Sequence, residues 1–340
     1  MKHYILSKKE DGALVMNHAD IQRPGPSQVL VKMRAASLNY RDLLVASGRY
    51  AMGNTPANLV PLSDGAGEVV EVGKEVTSLK LGDRVAMNFV QHWLGGEYEE
   101  TFAESALGGG CHGVLTEYAV FDQDGLVKLP GHLSFEEGAT LPCAAVTAWN
   151  ALFGQRSVQP GETVLIQGTG GVSLFALQFA KLAGARVIAT SSSTQKLNTS
   201  FALGADDGVD YSAYPNWHEQ AMALTENRGV DHVVEVVGGE NVGRSVEATR
   251  NGGIIHLIGA QEGGMIDPTR ARRRNVTLRG LYVGSRAQFQ AMNRAIAFHK
   301  LKPVIDRIFP FSEAATAYRH LESKTHVGKV VISIDHQASK

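Results

Sequence analysis

Cysteine is scarce in this sequence, which has only Cys111 and Cys143 among its 340 residues. Two cysteines cannot form the disulfide framework of a small secreted fold, and they are compatible with a reducing compartment. The chain has no apolar stretch long enough to span a bilayer, and no apolar signal-peptide segment follows Met1. We therefore expect a cytoplasmic protein that has no membrane partner.

Net charge is also small, because 33 basic and 34 acidic side chains leave a formal charge of -1. This balance produces no long-range field that would attract nucleic acid or an anionic membrane. We therefore expect a small-molecule substrate and no nucleic-acid partner. Hydrophobic residues make up 44% of the chain and charged residues 20%, as in ordinary globular proteins, and the length favours two domains.

A glycine-rich segment at 164–173, V-L-I-Q-G-T-G-G-V-S, has the clearest chemical meaning in the chain. An apolar run at 164–166 precedes the glycines and a helix-period pattern at 172–182 follows them, as in a strand, a tight turn and a helix. Glycine lets a pyrophosphate approach backbone N–H groups at the N-terminus of a helix, where the helix dipole favours an anion. The residues expected to bind a dinucleotide here are Gly168, Thr169, Gly170, Gly171 and Val172.

The surroundings of this segment decide its meaning, because Ser173 replaces the last glycine of the G-x-G-x-x-G pattern. Strand-like runs recur at 186–190, 230–237 and 253–258, with helical patterns between them. This alternation predicts a Rossmann fold with a cofactor at the glycine turn. The alternative interpretation is a structural turn without a ligand.

The first 120 residues contain short strand-like runs, such as those at 29–33, 67–72 and 84–87, which predict a small closed β-sheet. An ordered set of motifs extends along the chain: G-x-G-x-V at 65–69, G-D-R-V at 82–85, P-G-x-x-V-L-I at 160–166, G-x-G-G-V at 168–172 and V-G-K-V-V at 327–331. In these motifs the chain resembles the medium-chain dehydrogenase/reductase superfamily over nearly its whole length. The particular resemblance is to its zinc-independent branch of quinone-oxidoreductase-like and alcohol-dehydrogenase-like proteins.

The resemblance implies an α/β protein with two domains. Residues 1–120 together with 301–340 would form a GroES-like, β-rich catalytic domain, and residues 121–300 would form a Rossmann NAD(P)-binding domain. The active site would lie in the cleft between them. Homodimers and homotetramers are common in this superfamily, so we expect one of these assemblies.

The catalytic zinc of related alcohol dehydrogenases has three protein ligands, and the resemblance aligns their positions with Asn39, Ser63 and Cys143. Only the cysteine is a usual zinc ligand, since zinc prefers cysteine, histidine or carboxylate in a tetrahedral set. The resemblance therefore implies a protein without zinc, in which Cys143 is a small buried apolar residue.

The structural zinc site of related enzymes cannot form either. It needs four closely spaced cysteines after the G-D-R-V motif, where this chain has Cys111 alone. His92, Cys111 and His112 are the remaining candidates for a metal site, and they fall around a glycine-rich loop. The alternative interpretation is that these side chains are solvated, so we expect no metal.

Without zinc, hydrogen-bond donors must stabilise the negative charge that develops on a substrate carbonyl. The candidates are Asn39, Tyr40, Arg41 and Asp42 in the segment S-L-N-Y-R-D. In the quinone-oxidoreductase-like branch an Asn-rich version of this segment lines the cleft beside the nicotinamide, so the resemblance assigns an orienting amide to Asn39. Tyr40 could supply a proton, Arg41 could donate to a substrate oxygen and Asp42 could hold the loop.

An alternative for Arg41 and Asp42 is a structural pair or a cap for the helix that follows. In zinc enzymes the position of Arg41 carries a hydroxyl that relays the alcohol proton, and that hydroxyl is missing here. Its loss favours reduction of an acceptor over oxidation of an alcohol, with a proton from water or Tyr40.

The choice of cofactor depends on the end of the second Rossmann strand, where NAD-binding proteins carry a carboxylate about 20 residues after the glycine turn. That position is Ser191, and Lys196 follows on the next predicted helix. A hydroxyl does not repel a 2′-phosphate and a lysine can pair with it, so we expect NADPH rather than NADH. The alternative is that 191–193 is a plain loop and Lys196 a solvated surface charge.

The resemblance also suggests cofactor contacts elsewhere in the chain. Gly238 and Gly259 follow the fourth and fifth Rossmann strands, next to the crevice that receives the nicotinamide half. Further positions near the cofactor in the superfamily are Thr147 and Arg286. The arginine-rich run at 270–274 is interpreted as a solvated turn, or as a contact with the cofactor phosphates.

The function expected from the sequence is zinc-independent, NADPH-dependent hydride transfer to a small carbonyl-type acceptor such as a quinone, an enone or an aldehyde. One alternative is a zinc-binding alcohol dehydrogenase with atypical ligands. Another is an NADPH-binding sensor or structural protein with little turnover.

Overall fold

The computed structural model describes residues 1–7, 13–50, 55–259, 263–264 and 266–334. The chain divides into two compact units. The first unit contains the described parts of Met1–Val146 and Val283–Lys340, and the second unit is Thr147–Tyr282. None of the helices in the described residues is both long and apolar enough to cross a membrane.

Short strands dominate the N-terminal part of the first unit. The strands are β1 (Lys2–Ser7), β2 (Ala13–His18), β3 (Gln28–Leu38), β4 (Asp64–Val72), β5 (Arg84–Met87), β6 (Tyr118–Asp122) and β7 (Leu126–Lys128). The α-helices are α1 (Tyr40–Ala46) and α2 (Phe135–Ala139). A π-helical turn at Leu141–Ala145 leads into α3 (Val146–Phe153), which belongs to the second unit from Thr147 on. Two 3-10 turns lie at Glu100–Ser105 and Gln123–Gly125.

Strands and helices alternate in the second unit. In chain order they are β8 (Thr163–Gln167), α4 (Gly171–Leu182), β9 (Arg186–Ser191), α5 (Thr194–Ala202), β10 (Asp207–Asp210), α6 (Trp217–Leu224), β11 (Val230–Glu235), α7 (Asn241–Ala248), β12 (Thr249–Leu257), α8 (Pro268–Arg273) and β13 (Thr277–Gly280). The strands form one parallel sheet in the order β10-β9-β8-β11-β12-β13. This is the strand order of a Rossmann fold, and the predicted fold class is confirmed.

The C-terminal part of the chain completes the first unit. It consists of α9 (Arg286–His299), β14 (Ile305–Pro310), a 3-10 turn at Phe311–Glu313, α10 (Ala314–Glu322) and β15 (Lys329–Ser333). The sheet of the first unit has the order β14-β15-β3-β4-β5-β7, and β6 also pairs with β3. Strand β15 thus lies next to β3, which brings Lys329 close to the chain that leaves β3.

Hydrophobic periodicity explains the cores of both units. Along β3, the side chains of Val29, Val31 and Met33 are at most 1% exposed and alternate with the half-buried Lys32 and Arg34. Helix α10 adds one face to the same core, formed by Ala314, Ala317, Tyr318 and Leu321. In the second unit every residue of β8 and β11 is buried, as expected for parallel strands that are covered on both faces.

The boundaries between the units differ from the predicted domain boundaries at 120 and 300. Strand β6 pairs with β3 and β7 pairs with β5, so both belong to the first sheet. Helix α9 joins the same unit, where Asn293 Nδ2 donates to the Lys128 carbonyl at 3.0 Å. The hydrogen bonds that these elements form with distant segments decide which unit they join.

Candidate active site

The glycine turn between β8 and α4 has the geometry that the sequence predicts. Gly168 adopts a φ of +71°, which favours glycine, and its N–H donates to the Thr190 carbonyl at 2.7 Å. A Cβ atom placed on Gly168 or Gly170 would meet no heavy atom within 4 Å among the described residues. Both glycines therefore face open space that a side chain would fill.

The N-terminus of α4 is suited to bind an anion. Gly170 is the N-cap residue, and no side chain of the described residues caps the helix there. The first backbone N–H groups of this 12-residue helix thus lack the side-chain acceptor that often satisfies them, and the helix dipole adds partial positive charge. Together with the open cradle, this arrangement fits the pyrophosphate of a dinucleotide.

Ser173 explains the departure from the glycine pattern. Its side chain is 1% exposed, and its hydroxyl donates to the Gln167 carbonyl at 2.6 Å. This bond ties the first turn of α4 to the end of β8. A small residue other than glycine is therefore tolerated at this position, and the strand, turn and helix are kept.

A buried carboxylate that the sequence analysis did not single out organises the loop after β11. Glu235 is 0% exposed, and its Oε1 accepts N–H bonds from Val237 at 2.8 Å and from Gly238 at 3.0 Å. Its Oε2 accepts Nε2 of Gln167 and Nδ2 of Asn241, each at 2.9 Å. Glu235 thus holds the loop that contains Gly238 against the end of β8. The one sequence signal was a carboxylate at the end of an apolar strand.

Gly238 and Gly259 are required by backbone packing. Gly238 has a φ of +85°. A Cβ atom on Gly259 would lie 2.3 Å from the backbone nitrogen of Gly238, which is closer than any real contact. The two predicted glycines are therefore brought together, and their contact with a cofactor stays a prediction.

Ser191 is the last residue of β9, as the sequence predicts. The side chain is 1% exposed, and the carbonyl accepts the Tyr211 N–H at 2.9 Å. Ser193 caps α5 by accepting the Lys196 N–H at 3.3 Å, so Lys196 lies in the first turn of that helix. A hydroxyl, and no carboxylate, thus occupies the end of the second Rossmann strand.

The other predicted cofactor contacts are divided between the units. Thr147 lies in the second unit on α3 and is 3% exposed, and Thr169 in the glycine turn is 5% exposed. Arg286 belongs to the first unit, where its Nε donates to the Leu126 carbonyl at 3.2 Å. Its contact with the cofactor stays a prediction.

Asn39 is the N-cap residue of α1 and is anchored by Asp42. The Asn39 N–H donates to Asp42 Oδ2 at 2.7 Å, and Asp42 is 1% exposed. Burial raises the pKa of Asp42 to about 6, against the opposing effects of the Arg41 charge and the Asn39 N–H. Tyr40, by contrast, is 49% exposed.

Arg41 is buried among other residues of the first unit. Its Nη1 donates to the Leu107 carbonyl at 2.8 Å and lies 3.5 Å from Asp42 Oδ1. Its guanidinium carbon is 5.0 Å from the centre of the Tyr50 ring and 4.9 Å from that of Phe89. These contacts match the structural alternative for Arg41 and Asp42, and a catalytic role for either residue stays a prediction.

A buried ion pair that the sequence analysis missed connects the three positions aligned with zinc ligands. Asp64 is 0% exposed, and it accepts the Ser63 hydroxyl at 2.7 Å and the Cys143 N–H at 3.1 Å. Lys329 Nζ lies 3.8 Å from Asp64 Oδ2 and donates to Asn39 Oδ1 at 2.6 Å. The lysine is far from Asn39 in sequence, so no local pattern could have indicated this contact.

These residues do not fit a catalytic zinc. The oxygen of the Asn39 amide already accepts from the Lys329 ammonium, and the Ser63 hydroxyl donates to Asp64. Desolvation, and then the Asp64 carboxylate, raise the pKa of the Cys143 thiol and so disfavour its thiolate form. The Asp64 carboxylate, which could attract a dication, is already neutralised by the Lys329 ammonium 3.8 Å away.

No other metal site is formed by the described residues. They contain no group of three or more His, Cys, Asp or Glu side chains that could hold a metal ion. Among the candidates from the sequence, His112 Nδ1 accepts the Val60 N–H at 3.1 Å, and burial raises the pKa of the Cys111 thiol to about 11. In the arginine-rich run, Arg270 and Arg274 both pair with Glu247.

Comparison with known proteins places the chain in a family. A zinc-type alcohol dehydrogenase-like protein of Schizosaccharomyces pombe is 44% identical, and the match covers 92% of this chain and 93% of that protein. This chain belongs to the medium-chain dehydrogenase/reductase superfamily. Residues 25–131 match the family profile of the alcohol dehydrogenase GroES-like domain, and residues 171–297 match that of the zinc-binding dehydrogenases.

Two further similarities define the activity class. A quinone oxidoreductase of Pseudomonas aeruginosa is 30% identical over 94% of this chain and 96% of its own length. The solved structure of an NAD-dependent alcohol dehydrogenase is 33% identical, with a TM-score of 0.89, over 98% of this chain and 100% of that chain. The chain is thus an NAD(P)-dependent oxidoreductase of the alcohol dehydrogenase or quinone oxidoreductase type, and the predicted superfamily and enzyme class are confirmed.

Proposed function

We propose that this protein is a zinc-independent, NADPH-dependent oxidoreductase that reduces a small quinone, enone or aldehyde. The observation that carries the proposal is the side-chain amide of Asn39. Its Nδ2 atom is buried and has no hydrogen-bond partner among the described residues. A buried donor without an acceptor is costly, so it is well suited to an oxygen that arrives with the substrate.

The residues of this chain supply binding and charge stabilisation. NADPH, when bound, supplies a hydride. The glycine turn and the N-terminus of α4 hold the pyrophosphate, and the Asn39 amide donates to the oxygen on which negative charge develops. A proton from water or from the half-exposed Tyr40 completes the product, which is an alcohol, a hydroquinone or a saturated ketone.

The preference for NADPH rests on Ser191 and Lys196. Ser191 is the last residue of β9, and its buried hydroxyl carries no negative charge. Lys196 lies in the first turn of α5, the helix that follows. A lysine near a 2′-phosphate provides charge-assisted hydrogen bonds. NADH is the less favoured cofactor, although one relative is named as NAD-dependent.

A zinc-binding alcohol dehydrogenase with atypical ligands is the competing enzyme. The names of the relatives favour it, whereas the groups at Asn39 and Ser63 argue against it, because an amide and a hydroxyl are poor zinc ligands and both are already hydrogen-bonded. Cys143 alone would be left as a usual ligand. Metal analysis of the purified protein separates the two functions. One tightly held zinc per chain, with activity lost on chelation, would refute our proposal.

Turnover tests the proposal directly. NADPH oxidation is measured with a panel of quinones, enones and aldehydes, for the native protein and for Asn39→Ala and Asn39→Asp. The second variant keeps the size of the side chain but replaces the donor with an acceptor. We expect kcat to fall about 10²- to 10³-fold in both, as for the loss of one oxyanion donor. Tight NADPH binding without turnover of any acceptor would instead indicate a sensor or structural protein.

The partners of the protein follow from the same proposal. We infer a small-molecule substrate, no nucleic-acid or membrane partner, a cytoplasmic location, and a homodimer or homotetramer. Light scattering on the purified chain measures the assembly, and fractionation of cells that express it measures the location.

A further inference from the structure

Lys329 is a buried ammonium group that begins strand β15. It is 3% exposed. Lysine is rarely buried unless its charge is paired. Here Nζ donates to the Leu38 carbonyl at 2.7 Å and to Asn39 Oδ1 at 2.6 Å, and Asp64 Oδ2 lies 3.8 Å away. These three contacts are all with oxygen acceptors, which lie next to the start of α1 or on β4.

The chemistry of lysine determines the orientation of the Asn39 amide. An asparagine side chain can be turned by 180°, which exchanges its oxygen and its NH₂ group. An ammonium has only donors, so only the oxygen of the amide can face it. The Nδ2 group is therefore held at the opposite end, where it is buried and has no hydrogen-bond partner within the part of the chain that the structure describes. The positive charge next to the oxygen also polarises the amide and strengthens its N–H donors.

Asp64 keeps this arrangement electrically balanced. Its carboxylate is fixed by the Ser63 hydroxyl and the Cys143 N–H, at 2.7 and 3.1 Å. Removal of the lysine alone would leave a buried carboxylate without its cation, which is strongly destabilising. A test of Lys329 must therefore change both charges together.

We propose that Lys329 is a positioning residue, which holds the Asn39 amide so that Nδ2 can donate to the carbonyl oxygen of the substrate. This proposal rests on the proposed function, because it acts through Asn39. Lys329 does not touch the substrate in this scheme. Lys329 affects the rate only because it orients the side chain of Asn39.

A double-mutant cycle tests this dependence. The four proteins are the native enzyme, Asn39→Ala, the pair Lys329→Met with Asp64→Asn, and the triple variant. The pair removes the cation and the anion together, so it keeps the buried charge balanced. We expect the pair to lower kcat about 10- to 100-fold with a smaller change in KM. The reason is that a misplaced donor stabilises the transition state less, whereas it contributes little to binding of the substrate itself.

The positioning role predicts that the effects do not add. In the Asn39→Ala background, the pair Lys329→Met with Asp64→Asn should lower kcat no further, because the amide that it orients is absent. Additive losses would overturn the proposal, since they would show that Lys329 acts independently of Asn39. Lys329→Arg, which retains the charge and the donors, should keep more activity than the pair.

Lys128→Met is the matched control. Lys128 belongs to the same unit and pairs with Asp83 at 2.8 Å, but its side chain is 55% exposed. We expect the control to retain native kcat and KM. Equal losses in the control and the pair would count against a specific role for Lys329.

A second readout separates this inference from the proposed function. In protein labelled with ¹⁵N at asparagine, the Asn39 side-chain NH₂ signals are assigned by their loss in Asn39→Ala. We expect these signals to shift and broaden in the pair variant, as the amide gains rotational freedom, and to stay in place in Lys128→Met. Unchanged signals in the pair overturn the positioning role, whatever the activity. Failure of the native enzyme to reduce any acceptor would refute the proposed function, while the NMR comparison still decides whether Lys329 holds the amide.

Discussion

His232 and His256 form a stacked pair inside the second unit, with Nδ1 of His232 lying 3.1 Å from Nε2 of His256. Both side chains are 0% exposed. Arg156 and Glu162 contact the outer nitrogen of His232, at 2.8 and 3.1 Å. Burial, and then the charges of neighbouring groups, lower the pKa of His256 to about 3. Burial likewise lowers the pKa of His232, so the folded protein disfavours the charged form of both rings.

Acid should destabilise the second unit because of this pair. In the unfolded chain His256 binds a proton below its ordinary pKa of 6.5, whereas in the folded protein it does so only near pH 3. Its contribution to stability is thus complete above pH 6.5 and is lost as the pH falls toward 3, by about 1.4 kcal/mol per pH unit. Urea unfolding between pH 7 and 4 measures this slope. His256→Gln should reduce the dependence of the unfolding free energy on pH, whereas the control His18→Gln, at an exposed site, should not. Equal pH dependences in the native protein and both variants would contradict the prediction.

Substitution of the glycines should separate cofactor binding from stability. Gly170 has a φ of -77° and open space around its Cβ position, so Gly170→Ala should leave the unfolding temperature unchanged. The new methyl group occupies the space expected for the pyrophosphate, and the Kd for NADPH should rise about tenfold or more. Isothermal titration calorimetry measures this Kd. Gly259→Ala is the contrasting variant, because its Cβ would meet the backbone of Gly238 and should lower the unfolding temperature. Native affinity for NADPH in Gly170→Ala would exclude this turn as the phosphate site.

Glu235 should be needed as a carboxylate and not merely for its shape. In Glu235→Gln, the amide NH₂ would face the donors of Gln167 and Asn241, while the oxygen could still accept from the loop. We expect a loss of about 1–3 kcal/mol in the free energy of unfolding and weaker NADPH binding, because the loop that contains Gly238 loses its support. Thermal unfolding and NADPH titration check this, with the exposed Glu219→Gln as the control. The prediction fails if Glu235→Gln behaves like that control.

Ser191→Asp should change the cofactor preference. A carboxylate at the end of β9 repels a 2′-phosphate and can accept hydrogen bonds from a ribose diol. We expect the ratio of kcat/KM for NADPH to that for NADH to fall about tenfold or more. Ser191→Asn has a similar volume without the charge and serves as the control. An unchanged ratio in Ser191→Asp would place the phosphate pocket elsewhere.

Local patterns were sufficient for much of the second unit. The strand, turn and helix around Gly168 were predicted to within a residue or two, because a buried parallel strand and an amphipathic helix each have a period that short-range sequence reveals. Ser191 was identified as the end of the second Rossmann strand from its distance to the glycine turn, and it is the last residue of β9. The predicted boundaries placed β7 and α9 in the Rossmann domain, whereas both belong to the first unit.

By itself, the sequence determined the two kinds of fold, the glycine cradle and the hydroxyl at the end of β9, since each depends on residue type and spacing along the chain. The loss of two zinc-ligand positions came from the resemblance to the superfamily. The tertiary structure alone decided that Glu235 supports the loop of Gly238, and that Lys329 faces Asn39 and Asp64. Buried polar groups must find partners, and the pairing of distant strands decides which partners are available. A lysine at the start of β15 reaches Asn39 only because β15 pairs with β3, and no local pattern contains that information.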